Sequence, residues 1–158
     1  TPVGEYGTVT EVNGITADQG FDLFGIASGS NQLVSISSQT AAATVVGDLE
    51  VNFTTGGATW SDAANALYAI NGGDDALYTI DPGTGATVAV TPLGYDFGTA
   101  GMERHPLNGV LYACSTLGDL LSVDPASGDV TVIGPMGWDG ACTNLAAPYE
   151  WVPCVDGE

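Results

Sequence analysis

At two corresponding places in the 158-residue chain, an aromatic ring beside a carboxylate could hold a sugar. They are Tyr95-Asp96 and Trp138-Asp139, and Asn52-Phe53 occupies the corresponding place earlier in the chain. An aromatic ring stacks on the flat face of a sugar, while a carboxylate accepts hydrogen bonds from its hydroxyl groups. The pattern makes Tyr95, Asp96, Trp138 and Asp139 candidate ligand-binding residues. Aromatic residues that fill gaps between packed sheets are the more common explanation of such a pattern.

A second candidate site is a pair of acidic residues at a predicted hairpin tip. Asp74 and Asp75 follow Asn71 and two glycines. Carboxylate and carbonyl oxygens are the ligands that Ca²⁺ prefers, but the spacing does not match an EF-hand loop, and turn chemistry alone explains these residues. We therefore expect loosely bound cations, with calcium as the candidate ion, and no organic cofactor.

The chain contains one histidine, His105, which follows Glu103 and Arg104. A catalytic interpretation makes it a general base oriented by Glu103. Polar residues stand at nearby places in the related segments, at Asp18 and Asp62, so we interpret this stretch as a turn that ends a strand. The sequence contains no nucleophile elbow, phosphate loop or metalloprotease motif. We expect no enzymatic activity.

Three cysteines and one glycosylation sequon bear on the cellular compartment. Cys142 and Cys154 bracket a short segment rich in aromatic residues and proline, which predicts a disulfide in an oxidising compartment. A bridge from Cys114 to Cys142 is the main alternative. Asn52 begins a glycosylation sequon and predicts an exposed loop if the chain is secreted.

Charge excludes whole classes of partner. The chain has 19 acidic residues against one Lys or Arg, and its formal net charge is −18. Proteins that bind nucleic acid or anionic membranes need clustered cations, so neither partner is expected. Acids at this density repel one another unless salt screens them. No apolar run approaches the roughly 18 residues that would span a bilayer, and no charged-then-apolar leader is present. We expect a mature secreted product or a piece cut from a longer chain.

The elements that position these residues recur along the chain. Leu23, Leu67 and Leu111 begin related apolar runs at intervals of 44 residues, and two further apolar runs follow each one. A fourth, less apolar segment of small residues precedes each set, as is typical of the crowded innermost strand of a propeller blade. We therefore predict one all-β domain, residues 1–158, that forms a propeller-type array of about three four-stranded antiparallel blades plus a partial fourth. The repeats cover about residues 13–56, 57–100 and 101–144, followed by a partial blade at 145–158.

The amino-acid sequences of these runs resemble those of a known group of proteins. L-Y-A-I, then L-Y-T-I-D-P, then T-G-A-T-V is similar to the repeats of secreted bacterial and archaeal β-propellers, which include NHL-like and YVTN-like blades. The resemblance covers about residues 13–147. It implies blade architecture and a secreted or cell-surface location, and it says little about activity.

The number of blades suggests a function. Closed propellers have about four to eight blades, so this chain is too short to close a common ring alone. An unclosed array exposes strand edges and a blade face that can pair with another copy. We predict a non-enzymatic extracellular structural protein that self-assembles into a ring or a fibre. A lectin-like module that binds glycans and a fragment of a larger propeller enzyme are the alternatives.

Overall fold

The structure is a computed structural model that describes residues 4–137 and 140–147, and this part of the chain contains twelve β-strands in three antiparallel sheets. Blade 1 consists of β1 (Val12–Ala17), β2 (Leu23–Ala27), β3 (Gln32–Ile36) and β4 (Ala43–Asp48). Blade 2 consists of β5 (Gly56–Ser61), β6 (Ala66–Asn71), β7 (Ala76–Ile80) and β8 (Thr87–Pro92). Blade 3 consists of β9 (Gly101–Arg104), β10 (Leu111–Cys114), β11 (Asp119–Val123) and β12 (Val130–Pro135).

The strands of each blade pair in sequence order. The predicted all-β fold with three four-stranded antiparallel blades is therefore confirmed. Among the residues that the structure describes, no helix is long and apolar enough to cross a membrane. Every blade also carries an irregularity between its third and fourth strands, at Leu33/Val34, Leu77/Tyr78 and Leu120/Leu121. A bulge of this kind increases the local twist, so the three outer strands turn in the same way.

The core lies between the blades. Phe24 and Leu33 of blade 1 pack against Leu67 and Tyr78 of blade 2 in one buried cluster. On its opposite face, blade 2 forms a second cluster with blade 3, which includes Ile70, Leu77, Met102, Leu111 and Leu121. Both faces of the middle blade are thus buried, which explains why its strands lack the alternation of polar and apolar residues that marks a sheet with one face in water.

The innermost strands β1, β5 and β9 lie against one another through glycine. A Cβ atom placed on Gly57 would stand 2.5 Å from the backbone nitrogen of Met102, and one on Gly14 would stand 2.9 Å from the backbone nitrogen of Ala58. Side chains are absent at these positions because the backbones approach too closely to admit them.

A fourth inner segment follows blade 3. Residues 140–147 run beside β9, and a Cβ atom on Gly101 would stand 2.6 Å from the backbone nitrogen of Asn144. Residues 140–147 therefore occupy the position of an inner strand, although they do not form a β-strand. The predicted partial fourth blade, residues 145–158, lies mostly outside the described residues.

The outermost strands β4, β8 and β12 form the rim of the array, with one long edge of each strand unpaired within the described part of the chain. Their apolar residues are exposed, as at Val88 (63%), Ile133 (53%) and Val45 (46%). The hairpin turn between the third and fourth strands of a blade contacts the outer segment that precedes that blade in the chain. Gly47 of β4 lies against the carbonyl of Thr84, and Gly4 lies in the same way against the carbonyl of Thr40.

Crowding at the inner strands gives the first prediction. Gly57→Ala should lower the free energy of unfolding by about 1–3 kcal/mol, because the added methyl group meets backbone atoms that cannot rotate away. Gly57 has no positive φ, so the substitution tests crowding alone. Gly94→Ala is the control, since no atom lies within 4 Å of its added Cβ, and its effect should stay within about 0.5 kcal/mol. Equal effects in urea denaturation would contradict the interpretation.

Candidate functional site

The inner strands and residues 140–147 together border a polar cleft of about 230 Å³. Ile15 borders this cleft. The polar lining consists of an indole, two carboxylates, a guanidinium, two hydroxyls and an amide, from Trp60, Asp62, Glu103, Arg104, Thr16, Thr59 and Asn144. The cleft lies where the inner strands end. Polar and aromatic groups collect there because glycine occupies the crowded first half of each inner strand and larger residues follow it.

Hydrogen bonds between neighbouring blades involve several of these groups. The backbone N–H of Trp60 donates to Thr16 Oγ1 (3.2 Å), and the backbone N–H of Arg104 donates to Thr59 Oγ1 (2.9 Å). The Trp60 ring N–H also donates to Asp62 Oδ1 (2.7 Å). A threonine hydroxyl therefore joins each inner strand to the next one. The two residues of each hydrogen bond are about one repeat apart in sequence. This spacing is the signal from which the bonds between inner strands could be predicted.

Glu103 is the titratable group that the cleft perturbs. Its carboxylate is half-buried and accepts a hydrogen bond from Thr59 Oγ1 at 3.4 Å. Burial raises the pKa of Glu103, and the bond from Thr59 lowers it by less. The ionised form is therefore less well stabilised in the folded protein than in water.

His105 lies in the turn between β9 and β10. Its backbone N–H donates to Val110 O (2.9 Å), its carbonyl accepts from Gly109 N (2.8 Å), and its ring Nδ1 accepts from Leu107 N (3.2 Å). The ring also packs edge-on against Tyr112, with centroids 6.2 Å apart. These bonds give His105 the structural role that the turn interpretation predicts, while Glu103 is held by a threonine.

The candidate sugar-binding residues are only partly described. The Tyr95 hydroxyl donates to Asp119 Oδ2 (3.0 Å) and lies 3.2 Å from Ser115 Oγ. Its ring packs edge-on against Phe97 at 5.0 Å, and burial together with Asp119 raises its pKa. Tyr95 thus fills the junction before blade 3, while Asp96 is exposed. Trp138 and Asp139 lie outside the described residues, so the sugar-binding surface stays a prediction.

The two acidic residues of the calcium prediction have separate hydrogen-bond partners. Asp74 Oδ2 accepts from the hydroxyl of Tyr78 at 2.5 Å, and burial with this bond raises the pKa of Tyr78 to about 12. Asp75 Oδ1 accepts from the backbone N–H of Phe97 at 2.9 Å. Within residues 4–137 and 140–147, no three His, Cys, Asp or Glu side chains converge on a possible metal position.

Asp75 belongs to a structural device that the sequence did not reveal. Asn31 holds the same place in blade 1, both residues have positive φ, and Asn31 Oδ1 accepts from the backbone N–H of Phe53 at 3.0 Å. Each side chain therefore clamps the segment that leads to the next blade. The 44-residue spacing of Asn31 and Asp75 was the available signal.

Asn52 is exposed in the segment between blades 1 and 2, and its carbonyl accepts from Asn71 Nδ2 at 3.1 Å. Its side chain thus lies where a glycan could be attached. Glycosylation itself stays a prediction.

The disulfide joins Cys114 to Cys142, whose Cα atoms are 5.6 Å apart. The predicted Cys142–Cys154 bridge is therefore wrong, because a thiol forms one disulfide, and the structure contains the alternative pairing. Residues 140–147 return beside β9, and β9 pairs Gly101 with Cys114. The backbone N–H of Cys142 also donates to Ser115 O at 3.2 Å. Cys154 lies outside the described residues.

Peptide mapping without reductant should recover Cys114 and Cys142 in one cross-linked pair. The bridge spans 28 residues, and a loop of that length stabilises the fold by about 3–4 kcal/mol in the chain-entropy treatment. Replacing both cysteines by alanine should lower the free energy of unfolding by an amount of that order. Recovery of a Cys142–Cys154 pair would contradict the assignment.

The raised pKa of Glu103 predicts a pH dependence. Since its folded pKa exceeds the unfolded one, the ionised carboxylate destabilises the fold at neutral pH, and this effect disappears below the ordinary pKa of 4.5. Glu103→Gln should therefore raise the melting temperature at pH 7 and have less effect as the pH falls through 4.5. Solvent screening keeps the gain below about 1 kcal/mol. Glu50→Gln, at an exposed position, controls for the loss of one charge, and a gain equal to that of the control would contradict the prediction.

Three solved structures share the fold at low sequence identity. A protein of unknown function from Bacteroides thetaiotaomicron matches with a TM-score of 0.66 and 16% identity, covering 84% of this chain and 38% of that one. Virginiamycin B lyase from Staphylococcus aureus, in complex with quinupristin, matches with 0.59 and 15%, covering 81% and 42%. The PQQ-bound aldose sugar dehydrogenase from Streptomyces coelicolor matches with 0.52 and 17%, covering 74% and 45%.

These matches show the fold alone, and the chain spans less than half the length of each of the three. The propeller-type repeat is confirmed, while the finer assignment to NHL-like or YVTN-like blades stays a prediction. No curated protein matches the chain. A family profile does match residues 5–146, and the chain therefore belongs to the family described as a repeat of unknown function (DUF6923).

Proposed function

We propose that the chain is a non-enzymatic structural module of the cell exterior that self-associates through the open face of blade 1. This face, which points away from blade 2, is called the upstream face below. The Cys114–Cys142 disulfide supports an oxidising compartment, where such bonds form and persist.

The observation that carries the proposal is the exposure of Ile15 on the upstream face. Ile15 is 42% exposed, whereas the residues at its place in blades 2 and 3, Ala58 and Met102, are 6% and 1% exposed. Leu23 is likewise half-buried, while its equivalents Leu67 and Leu111 are fully buried. In blades 2 and 3 these positions are covered by the blade before. The upstream face therefore continues an interface that the chain already builds twice.

Part of the upstream face is covered by the chain itself. Val9 and Val12 pack over a small cluster of Ala27, Val34 and Ile36. This cover leaves a limited apolar patch around Ile15 and Leu23. Complete burial of a side chain of this size contributes about 1.5–3 kcal/mol. Ile15 is 42% exposed and Leu23 is half-buried, so each adds less than this to the association.

Charge opposes the association and makes it depend on salt. Each copy carries a formal net charge of −18, and the repulsion between two copies reaches about 10 Å at 0.1 M salt but only about 3 Å at 1 M. Contact between the apolar patches is therefore expected to strengthen as salt is added. This dependence is opposite to that of an interface held by ion pairs.

A second candidate function is ligand binding in the inner-strand cleft. It is favoured by the convergence of Trp60, Asp62, Glu103 and the only cationic side chain of the sequence, Arg104. Two of the matched proteins are named as a lyase and a dehydrogenase, and a role for this chain as part of a larger propeller enzyme belongs with this candidate. Retention of a glycan or another small molecule by the purified protein, and its loss in Trp60→Ala, would support it.

Sedimentation velocity at micromolar concentration tests the structural proposal. The wild-type chain should associate, more strongly in 1 M than in 0.1 M salt, and Ile15→Glu should weaken the association at least about tenfold, because a buried charge replaces an apolar contact. Val88→Glu is the matched control, since Val88 is exposed on the rim and its replacement should change little. A strictly monomeric wild type in high salt would contradict the proposal.

A further inference from the structure

We infer that the inner-strand cleft binds a small ring compound that carries a carboxylate and several hydroxyl groups, which is the chemistry of an acidic monosaccharide. This inference rests on the second candidate function, ligand binding in the same cleft, and specifies the ligand. It does not depend on self-association.

One place in the repeat changes its chemistry from blade to blade. It is held by Ala17, Trp60 and Arg104, each of which pairs across the sheet with the first leucine of the second or corresponding strand. The opposing leucine is kept in all three blades, whereas this place holds a methyl group, an indole and a guanidinium. All three residues line the cleft. Packing between strands therefore does not fix the residue type here, which leaves this place free to serve a ligand.

The guanidinium of Arg104 is available for binding. Arg104 is the only Lys or Arg in a chain with 19 acidic residues. Within the described part of the chain, its side chain forms no hydrogen bond or ion pair, although Asp62 and Glu103 border the same cleft. A guanidinium presents a planar fork of N–H donors that matches a carboxylate. The half-buried donors of Arg104 thus face a cleft in which no protein carboxylate uses them.

A glycine makes room for this guanidinium. Gly109 lies in the turn between β9 and β10 with a φ of 71°, and a Cβ atom on it would stand 3.0 Å from Arg104 Nη2. Phe21 and Asn65 hold the same place in blades 1 and 2, and both also have positive φ. The turn therefore accepts a side chain, whereas the guanidinium of blade 3 needs its absence.

The indole and the two carboxylates provide the other contacts of a sugar site. Asp62 Oδ1 accepts from the ring N–H of Trp60 at 2.7 Å, which orients the indole, and an aromatic face stacks on a sugar ring. Glu103 Oε2 accepts from Thr59 Oγ1 at 3.4 Å. The second oxygen of each carboxylate has no hydrogen bond to any described residue, so each can accept one from a ligand hydroxyl.

Size and charge narrow the class of ligand. The cleft has a volume of about 230 Å³, which is below the roughly 300–1,000 Å³ of pockets for drug-sized ligands, so it suits a single ring. An inorganic anion such as sulfate would pair with Arg104 but has no hydroxyl group for the two carboxylates. A neutral sugar would leave the guanidinium unpaired. A sugar ring with a carboxylate uses all of these groups.

A titration with two sugars tests the inference. Glucuronate and glucose differ at C6, where the first has a carboxylate and the second a hydroxymethyl group. In ¹⁵N-labelled protein, glucuronate should shift the indole N–H resonance of Trp60, which Trp60→Phe identifies. It should bind at least about tenfold more tightly than glucose, because a charge-assisted pair with Arg104 is added.

Two substitutions separate the charge from its position. Arg104→Gln should weaken glucuronate binding at least about tenfold and leave glucose binding unchanged, because only the carboxylate contact is lost. This variant should fold, since the guanidinium has no partner among the described residues. Gly109→Asn keeps the charge and copies the residue of blade 2. It should also weaken glucuronate binding, because the added side chain displaces the guanidinium.

Each substitution has a matched control. Asn52→Asp changes the net charge by the same amount as Arg104→Gln, at an exposed position that does not line the cleft. Gly7→Asn introduces the same residue at a glycine with positive φ, where no atom lies within 4 Å of the added Cβ. Both controls should leave the affinity for glucuronate unchanged.

The outcomes separate the inference from the candidate function on which it rests. Equal affinity for the two sugars, or an Arg104→Gln chain that still prefers glucuronate, overturns the inference and leaves ligand binding by the cleft standing. No response to either sugar also overturns it, and the retention experiment with Trp60→Ala then decides the candidate function separately. Unchanged glucuronate binding in Gly109→Asn overturns the position assigned to the guanidinium.

Discussion

The architecture depends on the close approach of one glycine Cα to the backbone of the next inner strand. This contact recurs at Gly14, Gly57 and Gly101 and sets how near successive blades can stand at the inner side. Once the inner distance is fixed, the space between blades widens outward, and larger apolar residues such as Phe24, Leu67 and Leu111 fill it. The apolar clusters therefore match a spacing that the inner strands impose.

Polar residues stabilise this arrangement where water is excluded. Threonine hydroxyls join the inner strands, and Asn31 and Asp75 hold the segments that connect blades. Among the described residues, every buried side-chain nitrogen or oxygen atom has a hydrogen-bond partner. Three residues of the predicted binding sites, Tyr95, Asp74 and Asp75, take part in such hydrogen bonds, because polar groups at a blade junction need partners when water is excluded.

The sequence predicts the blades, but it does not predict the contacts between residues of different blades. A period of 44 residues locates equivalent strands, and runs without polar alternation indicate that both faces are buried. Period alone does not reveal which residues meet across a junction. Cys142 is nearer to Cys154 in sequence, whereas the return of residues 140–147 to the inner side brings it to Cys114. The hydrogen bond from Phe97 to Asp75 is not predictable for the same reason, since Phe97 lies in the next connecting segment.

The exposed rim makes the protein's solubility dependent on its charge. The strands β4, β8 and β12 carry exposed valine and isoleucine residues along edges whose backbone groups can pair with other strands. Many proteins protect such edges with lysine, and this sequence contains none. Mutual repulsion between acidic molecules takes over that protection. Because the sequence pI is about 4.1, acidification removes the repulsion while the edges remain, and cross-β aggregation then becomes the main hazard for the purified protein.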